Sequence, residues 1–316
     1  MRKINGQAKV IIGVDLGGTK SLFGLADETG EILKEAEYPT GSQERVFAHL
    51  VSNLRRFMAD HGIEPNRVSR IGLGVAGVVD HRNGTVSQAP NLGWDRFPLK
   101  VALEDRFHVP VALENDVNAA TLGEHWRGAA RGLRHYLFVA VGTGIGAGIM
   151  INRELYRGHS YSAGEIGYDV LRPDALREAD VAAEYLESLA SGTGLLLWAN
   201  RRRGGRSQFG STAEVMAAAE AGDEAALIVV REATELLGLS ISNAVNLLDP
   251  ELVVLGGGLC FGAPSFVERI QAITRKVLPK PIPVVLSTLG GKAQLYGAVK
   301  LCLDQMRTIS ICREEA

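Results

Sequence analysis

Two stretches, one in each half of the chain, spell out the same device: an apolar strand, a glycine-containing turn with a threonine, and a second apolar strand. The first is Val10-Ile11-Ile12-Gly13-Val14-Asp15-Leu16-Gly17-Gly18-Thr19-Lys20, running on into Ser21-Leu22-Phe23-Gly24-Leu25-Ala26. The second is Tyr136-Leu137-Phe138-Val139-Ala140-Val141-Gly142-Thr143-Gly144-Ile145-Gly146-Ala147-Gly148-Ile149-Met150-Ile151. Short apolar runs bounded by glycines are buried strands, and glycines between two such runs form the tip of a hairpin. Backbone in such a turn comes close to a ligand, because no Cβ stands in the way. In the first turn Thr19 adds a hydroxyl, Lys20 follows, and successive N–H groups cradle an anion. Asp15, at the end of its strand, is placed to hold Mg²⁺ through water beside phosphates. An ordinary glycine hairpin with a capping aspartate would read the same for one stretch alone. The recurrence carries more weight than either copy: it predicts a duplicated α/β fold with a nucleotide in the cleft between the halves.

A length of 316 residues suggests about two domains, and 46% hydrophobic with 22% charged residues is the composition of a soluble globular chain with a sizeable core. A formal charge of −2 provides no basic field for nucleic acid or an anionic membrane. The run Arg201-Arg202-Arg203-Gly204-Gly205-Arg206 reads as a solvated loop. Cys260, Cys302 and Cys312 are far apart and form no CxxC pair, which fits a reducing compartment. The polar segment Met1 to Lys9 lacks the apolar core of a signal peptide, and no apolar run spans a bilayer. The expected location is the cytoplasm.

In chain order, Val46, Leu50, Leu54, Phe57 and Met58 recur at helical spacing within Gln43 to His61, and Gly62 ends that helix. Val68 to Asp80 reads as a strand that dissolves into glycines and closes with an acid. Strand, helix and strand in succession predict a mostly parallel sheet with helices on its faces. A turn-rich loop from Gln88 to Trp94, a short helix from Leu99 to Phe107 and a strand Val109 to Leu113 follow. Glu114-Asn115-Asp116-Val117-Asn118-Ala119-Ala120 then carries polar residues off a buried strand into a helix, which is where ligands sit in open α/β sheets. Asp116, near a helix N-terminus that favours its ionised form, is a candidate general base; a plain N-cap is the other reading. Later come a loop, Gly158 to Gly167, bearing Glu165, and a helix, Val181 to Ala190, carrying Glu184 and Glu187. Helices follow at Ser211 to Ala221 and Asp223 to Leu248. Leu252 to Leu255 opens into Gly256-Gly257-Gly258, either backbone lying flat against adenine or ribose or a tight strand-to-helix turn. A last strand, Val284 to Ser287, and a last helix, Ala293 to Met306, complete the reading. The domain boundary falls at a hinge near Glu114 to Val117: residues 1–115 form a smaller domain and 116–299 a larger one, with the C-terminal helix, about 300–316, packing back on the first.

With these residues in hand, the chain resembles the ROK family (repressor, ORF, kinase), bacterial sugar kinases of the two-domain actin-like ATPase fold. The motifs stand in family order over nearly the whole chain: Asp15 to Lys20, Gly74-Val75-Ala76-Gly77-Val78-Val79-Asp80, Asn91-Leu92-Gly93-Trp94, Glu114 to Ala120, Gly142 to Gly148, and Ala163-Gly164-Glu165-Ile166-Gly167. The resemblance implies that Asp116 is the catalytic base, and that Asn115, Glu165 and Glu187 bind sugar hydroxyls, with Gly77 and Asn91 in the same sugar site. It places ATP against Asp15, Gly17, Gly18, Thr19 and Lys20, against Gly142, Thr143 and Gly144, and against Gly256, Gly257 and Gly258. It also implies a homodimer or larger assembly.

The sequence departs from that pattern at one segment. The family usually has a histidine that contacts sugar and ligates zinc one residue after the Glu-x-Gly of this loop, then a CxCGxxGCxE segment with three cysteine ligands. Here Tyr168 stands at the histidine, and Glu178-Ala179-Asp180-Val181-Ala182-Ala183-Glu184-Tyr185-Leu186-Glu187 contains no cysteine. Zinc needs Cys or His at such positions, so no structural zinc is expected, and packing that includes Tyr168 and Tyr185 must hold the loop. Tyr168 either offers its hydroxyl to the sugar or is a core replacement. Repressor members carry an N-terminal DNA-reading domain, and no helix-turn-helix fits before Val10. The expectation is an ATP- and Mg²⁺-dependent hexose kinase acting on glucose at its 6-hydroxyl. The alternatives are a kinase for N-acetylglucosamine, N-acetylmannosamine, fructose or allose, or a non-catalytic sugar or nucleotide sensor.

Overall fold

The computed structural model describes residues 8–177, 180–204 and 208–314, with backbone alone for 307–314. Glu178, Ala179, Gly205, Arg206 and the segment 1–7, read above, lie outside the described residues. The chain divides into two units. The first holds the chain up to Gly132, the short segment Gly158–Ser162 and the chain from Lys292 onward; the second holds Leu133–Arg157 and Ala163–Gly291.

The first unit begins with β1 (Val10–Leu16), β2 (Lys20–Ala26) and β3 (Ile32–Pro39), then α1 (Val46–Asp60) and β4 (Val68–Val75). A separate small sheet follows, β5 (Val78–Asp80), β6 (Thr85–Ala89) and β7 (Trp94–Phe97), then α2 (Leu99–Phe107), β8 (Val111–Asn115) and α3 (Asp116–Arg127). The second unit contains β9 (Tyr136–Val141), β10 (Ile145–Ile151), β11 (Glu154–Tyr156), α4 (Leu186–Ala190), α5 (Gly192–Arg203), α6 (Thr212–Glu220) and α7 (Glu224–Leu248). It closes with β12 (Leu252–Gly256), α8 (Gly258–Gly262), α9 (Pro264–Val277) and β13 (Val284–Leu286), after which α10 (Ala293–Glu314) belongs to the first unit. Among the described residues, no helix is long and apolar enough to cross a membrane.

The duplication expected from the two hairpins is present in the topology. The large sheet of the first unit runs β3-β2-β1-β4-β8 and that of the second β11-β10-β9-β12-β13. In both, the first three strands pair antiparallel and the rest pair parallel.

Strand alternation explains how the first sheet is covered. In β1, Val10, Ile12, Val14 and Leu16 point into one core with Leu50, Leu54 and Phe57 of α1, while Ile11 points into another with Val299 and Cys302 of α10. Gly13 and Asp15 share the parity of Ile11 and therefore face the α10 side. Helix α10 lies against α3 as well as the sheet, and a Cβ at Gly297 would run into the carbonyl of Ala119. That contact keeps α3 in the first unit, so the chain leaves this unit after Gly132 rather than at the 115/116 point read from the sequence. The segment Val68 to Asp80 also differs from its reading as one strand: β4 stops at Val75, and β5 belongs to the small sheet.

In the second unit, β9, β10 and β12 pack with α5, α6, α7 and α9 into a single core built on Val139, Val141, Leu195, Val229, Leu237, Val253 and Phe266. Two local readings differ here. The helix expected over Val181 to Ala190 is interrupted by extended backbone at Tyr185, between a 3₁₀ turn at Val181–Glu184 and α4. Arg201 to Arg203 form the last turn of α5 rather than a loop, and Arg203 pairs with Asp223 at 2.8 Å while its guanidinium lies 4.0 Å from the ring of Phe209.

Candidate active site

In the first unit, the parallel strands β1, β4 and β8 end side by side. Asp15 is in register with Gly74, and Gly74 with Glu114. Strand spacing alone puts the backbones of Asp15 and Glu114 about 10 Å apart, with a residue lacking a side chain between them. That gap is used by α3: a Cβ on Gly74 would lie 3.1 Å from the Cβ of Ala119 and 3.5 Å from the Cα of Asp116. The first turn of α3 therefore crosses over β4 toward Asp15.

Asp116 is not the cap of this helix. Asn115 is, its Oδ1 accepting the N–H of Asn118 at 3.0 Å. The Asn115 amide also donates to the Gly77 carbonyl and to Asp116 Oδ1, each at 3.0 Å. Asp116 Oδ1 further accepts the Val117 N–H at 2.9 Å, so one oxygen is held by two donors and the carboxylate is fixed in direction. Below it, buried Glu114 accepts the Asn115 N–H at 3.1 Å and the Asn118 amide at 3.3 Å.

Burial raises the Asp116 pKa from 3.8 to about 6, against the lowering effect of the Val117 N–H, its own N–H and the Asn115 amide. Asp15 is pushed higher, to about 7, first by burial and then by the Asp116 charge, with Lys20 acting the other way. Among the described residues, no hydrogen bond or ion pair reaches the Asp15 carboxylate. Two acids that repel one another, one of them unpaired, form a site that a divalent cation would relieve. No group of three or more His, Cys, Asp or Glu gathers as a metal cage among the described residues. The donor set fits Mg²⁺, which is commonly held by one or two carboxylates together with water and substrate phosphates.

The turn after β1 is pinned from behind. Buried Thr40 donates its hydroxyl to the Gly17 carbonyl at 2.7 Å, lies 2.8 Å from the Ser21 hydroxyl, and gives its N–H to the Thr19 carbonyl at 3.0 Å. Gly18 faces Asn91, whose Cβ would be 3.0 Å from a Cβ on the glycine. Thr19 and Lys20 are exposed, and Lys20 pairs with Glu37 at 2.7 Å. The sequence offered no signal for Thr40, because it follows β3 and reaches the turn only through the fold.

The second unit repeats the turn without the acids. The Gly142 N–H bonds to the Gly144 carbonyl at 2.9 Å, and Glu187 Oε2 accepts the Ile145 N–H at 2.8 Å. The Gly192 N–H donates to the Gly142 carbonyl at 2.7 Å, and Thr212 donates to the Gly192 carbonyl at 2.7 Å. This brings the N-terminus of α5, capped by Ser191, against the turn. Thr143 is exposed at its tip. The glycine run after β12 is a strand-to-helix turn: Gly256 completes the strand and leaves room for the Phe138 ring. Gly257, at φ 90°, passes so close to the Val141 backbone that no side chain fits, and Gly258 opens α8 with free space where a side chain would be. A backbone cradle that a Cβ would fill suits a bound nucleotide.

Also in the second unit, Glu165, Tyr168 and Glu187 gather. Glu165 precedes a single 3₁₀ turn, Ile166–Tyr168. The Tyr168 ring packs edge-on to Tyr185, centroids 5.3 Å apart, the pairing expected to hold this loop. Tyr168 is nonetheless 62% exposed, so it is not a core replacement. Its hydroxyl is held above the ordinary tyrosine range by partial burial and then by the charges of Glu165 and Glu187. It is kept as a neutral O–H able to donate.

The structure thus gathers Asp15, Gly17, Gly18, Gly77, Asn91, Asn115 and Asp116 in one unit, and Gly142 to Gly144, Glu165, Tyr168, Glu187 and Gly258 in the other.

Comparison with known proteins agrees with this architecture. A glucokinase of Halalkalibacterium halodurans is 32% identical over 313 residues, covering 93% of this chain and 95% of that protein. The crystal structure of a ROK family glucokinase from Streptomyces griseus in complex with glucose and AMPPNP superposes with a TM-score of 0.78 at 32% identity, covering 92% of this chain and 98% of that one. A ROK hexokinase from Thermus thermophilus also gives 0.78, at 33% identity, covering 92% and 97%. The family model described as ROK family matches residues 11–305, and the chain belongs to that family.

Proposed function

We propose that the protein is an ATP-dependent hexose kinase that transfers the γ-phosphoryl group of ATP, with Mg²⁺, to the 6-hydroxyl of glucose. The observation that carries the reading is Asp116: a carboxylate at the first position of α3, aimed by Asn115 and Val117, with a pKa of about 6 and a second acid, Asp15, beside it. A base whose pKa lies just below neutral is ionised at working pH yet basic enough to take a proton. The glucokinase relatives support the reaction class and the choice of sugar.

In this reaction the sugar hydroxyl oxygen attacks the γ-phosphorus, its proton passes to Asp116, and ADP departs. Bound Mg²⁺ supplies positive charge that offsets the charge of the phosphates, and Asp15 is the residue to hold it through water. The Gly17 and Gly142 N–H groups are already bonded inside their turns, so the N–H groups of Gly18 and Thr19 in the first unit, and of Thr143 and Gly144 in the second, are the ones to orient phosphate oxygens, and Gly258 leaves room for the nucleoside. Phosphoryl transfer depends mainly on such positioning and charge stabilisation. In the second unit Glu165, Tyr168 and Glu187 are the groups to accept from and donate to ring hydroxyls; in the first unit Asn91 and Asn115 are. Each such group left unpaired by a wrong epimer costs about 1–3 kcal/mol, enough to choose among sugars.

The test is ADP release coupled to a dye signal, with MgATP against glucose, mannose, fructose, allose and the N-acetylhexosamines. Turnover highest with glucose is the expected result. Highest turnover with an N-acetylhexosamine would reassign the substrate, and binding of sugar or ATP without turnover would make the protein a sensor.

A further inference from the structure

The loop that carries Tyr168 leaves it at Asp169 and returns through Glu184 to Tyr185 and Glu187. One side chain touches both limbs. Arg172 sits 3.6 Å from Glu184 Oε2 through Nη1 and 3.6 Å from Glu232 Oε2 on α7 through Nη2. Its guanidinium lies 5.4 Å from the centre of the Trp198 ring on α5. All three charged groups are about a quarter to a third exposed. Beside it, Asp169 accepts the hydroxyl of buried Ser240 on α7 at 2.6 Å, and its carbonyl accepts the Leu186 N–H at 2.9 Å. The outgoing limb, the returning limb, α5 and α7 therefore meet at a single cation three residues along the chain from Asp169, and its partner Glu184 stands one residue before Tyr185.

We propose that Arg172 is a positioning residue for sugar recognition: by clamping both limbs of this loop to α5 and α7 it sets Tyr168 and Glu187 at the spacing that reads the sugar. This rests on the functional reading above, in which those two residues contact the sugar. A planar guanidinium reaches two carboxylates and an aromatic face at once; an ammonium group does not present that fork. Because the pairs are partly solvated, salt weakens them, and the clamp loosens without the fold being lost.

The experiment compares the wild type, Arg172→Ala and Arg172→Lys by steady-state kinetics with sugar and ATP varied in turn, at low and high salt. Hydrogen exchange of peptides covering 166–177 and 181–187 is measured on the same proteins. Expected for Arg172→Ala are faster exchange in both peptides, a sugar KM raised about 5- to 10-fold, and ATP KM and kcat within about 2-fold. Lysine should restore part of the sugar KM. The wild-type sugar KM should rise with salt, and that dependence should be lost in Arg172→Ala. Where the wild type turns over sugar, an unchanged sugar KM in Arg172→Ala overturns the clamp, whatever the exchange shows. Equal rises in sugar and ATP KM, with kcat reduced, would mark general damage and overturn it as well. A wild type that turns over no sugar in the panel overturns the functional reading and the inference with it.

Discussion

Replacing Asp116 by Asn should abolish turnover and make the protein more stable, and the gain should depend on pH in a defined way. Burial raises this carboxyl from 3.8 to about 6, so the folded chain holds a proton that the unfolded chain has already released. Stability therefore falls as pH rises from the unfolded value through the folded one, and the full cost is present above about pH 6. At about 1.36 kcal/mol for each pKa unit, the cost is about 3 kcal/mol. Asparagine removes the charge and keeps an oxygen for the Val117 N–H and the Asn115 amide, so no donor is orphaned. For a unit of this size that is about 6–12 °C in Tm. The assay is thermal unfolding of wild type and Asp116→Asn without ligands at pH 4, 5, 6 and 7.5, with turnover measured at pH 7.5. The expected pattern is nearly equal Tm at pH 4, a gap opening between pH 4 and 6 and widening further as Asp15, raised in part by the Asp116 charge, ionises near pH 7, and turnover lower by several orders of magnitude. A gap of the same size at pH 4, or none at pH 7.5, would refute the electrostatic argument. Retained turnover would remove Asp116 as the base.

Three further changes probe other parts of the structure. Thr40→Val removes the hydroxyl that holds the Gly17 carbonyl and meets Ser21; it should lower stability by about 1–3 kcal/mol and raise the ATP KM more than the sugar KM, read by denaturant unfolding and kinetics. Gly297→Ala drives a methyl group into the Ala119 carbonyl, whereas Gly262→Ala enters open space; the first should cost about 3 kcal/mol or more and the second should stay within about 0.5 kcal/mol, judged by Tm. Tyr168→Phe keeps the edge contact with Tyr185 and deletes only the hydroxyl, so a sugar KM raised about 10-fold with unchanged Tm is expected.

The parts of this fold that were legible in the sequence are those whose cause is local. Apolar runs ending in glycine gave both hairpins, and the i, i+4 spacing of Val46, Leu50 and Leu54 gave α1. The echo between the hairpins pointed to a duplication, which the two sheets bear in full. What escaped was decided by contacts distant in sequence. No pattern near residue 116 tells that α3 stays with the first unit, because the cause is Gly297 lying against Ala119. Thr40 and Arg172 escaped for the same reason. Asn115 and Asp116 are adjacent and both suited to capping, so which takes the cap depends on how β8 ends: extended backbone at Asn115 turns its oxygen onto the helix and leaves Asp116 to face Asp15.

The two copies of the sheet share a strand order and differ in the residues at their strand ends. Strands β1 and β9 hold the same place in their sheets, as do β8 and β13. In the first copy β1 ends on Asp15 and Leu16, and β8 runs through Glu114 and Asn115 into Asp116. In the second, β9 ends on Ala140 and Val141, and β13 on Leu286 followed by Ser287. Backbone cradles therefore belong to both copies, while raised acids at strand ends belong to one. The cradle needs only glycine and tight turns, so a duplicated fold carries it at little cost. The proposed proton acceptor is different: a half-buried carboxylate with its pKa lifted by burial destabilises the empty protein, and the fold bears that cost in the copy where Asn115 and the first turn of α3 aim it. That is why Asp116→Asn is expected to separate the two properties, losing the chemistry while relieving the strain.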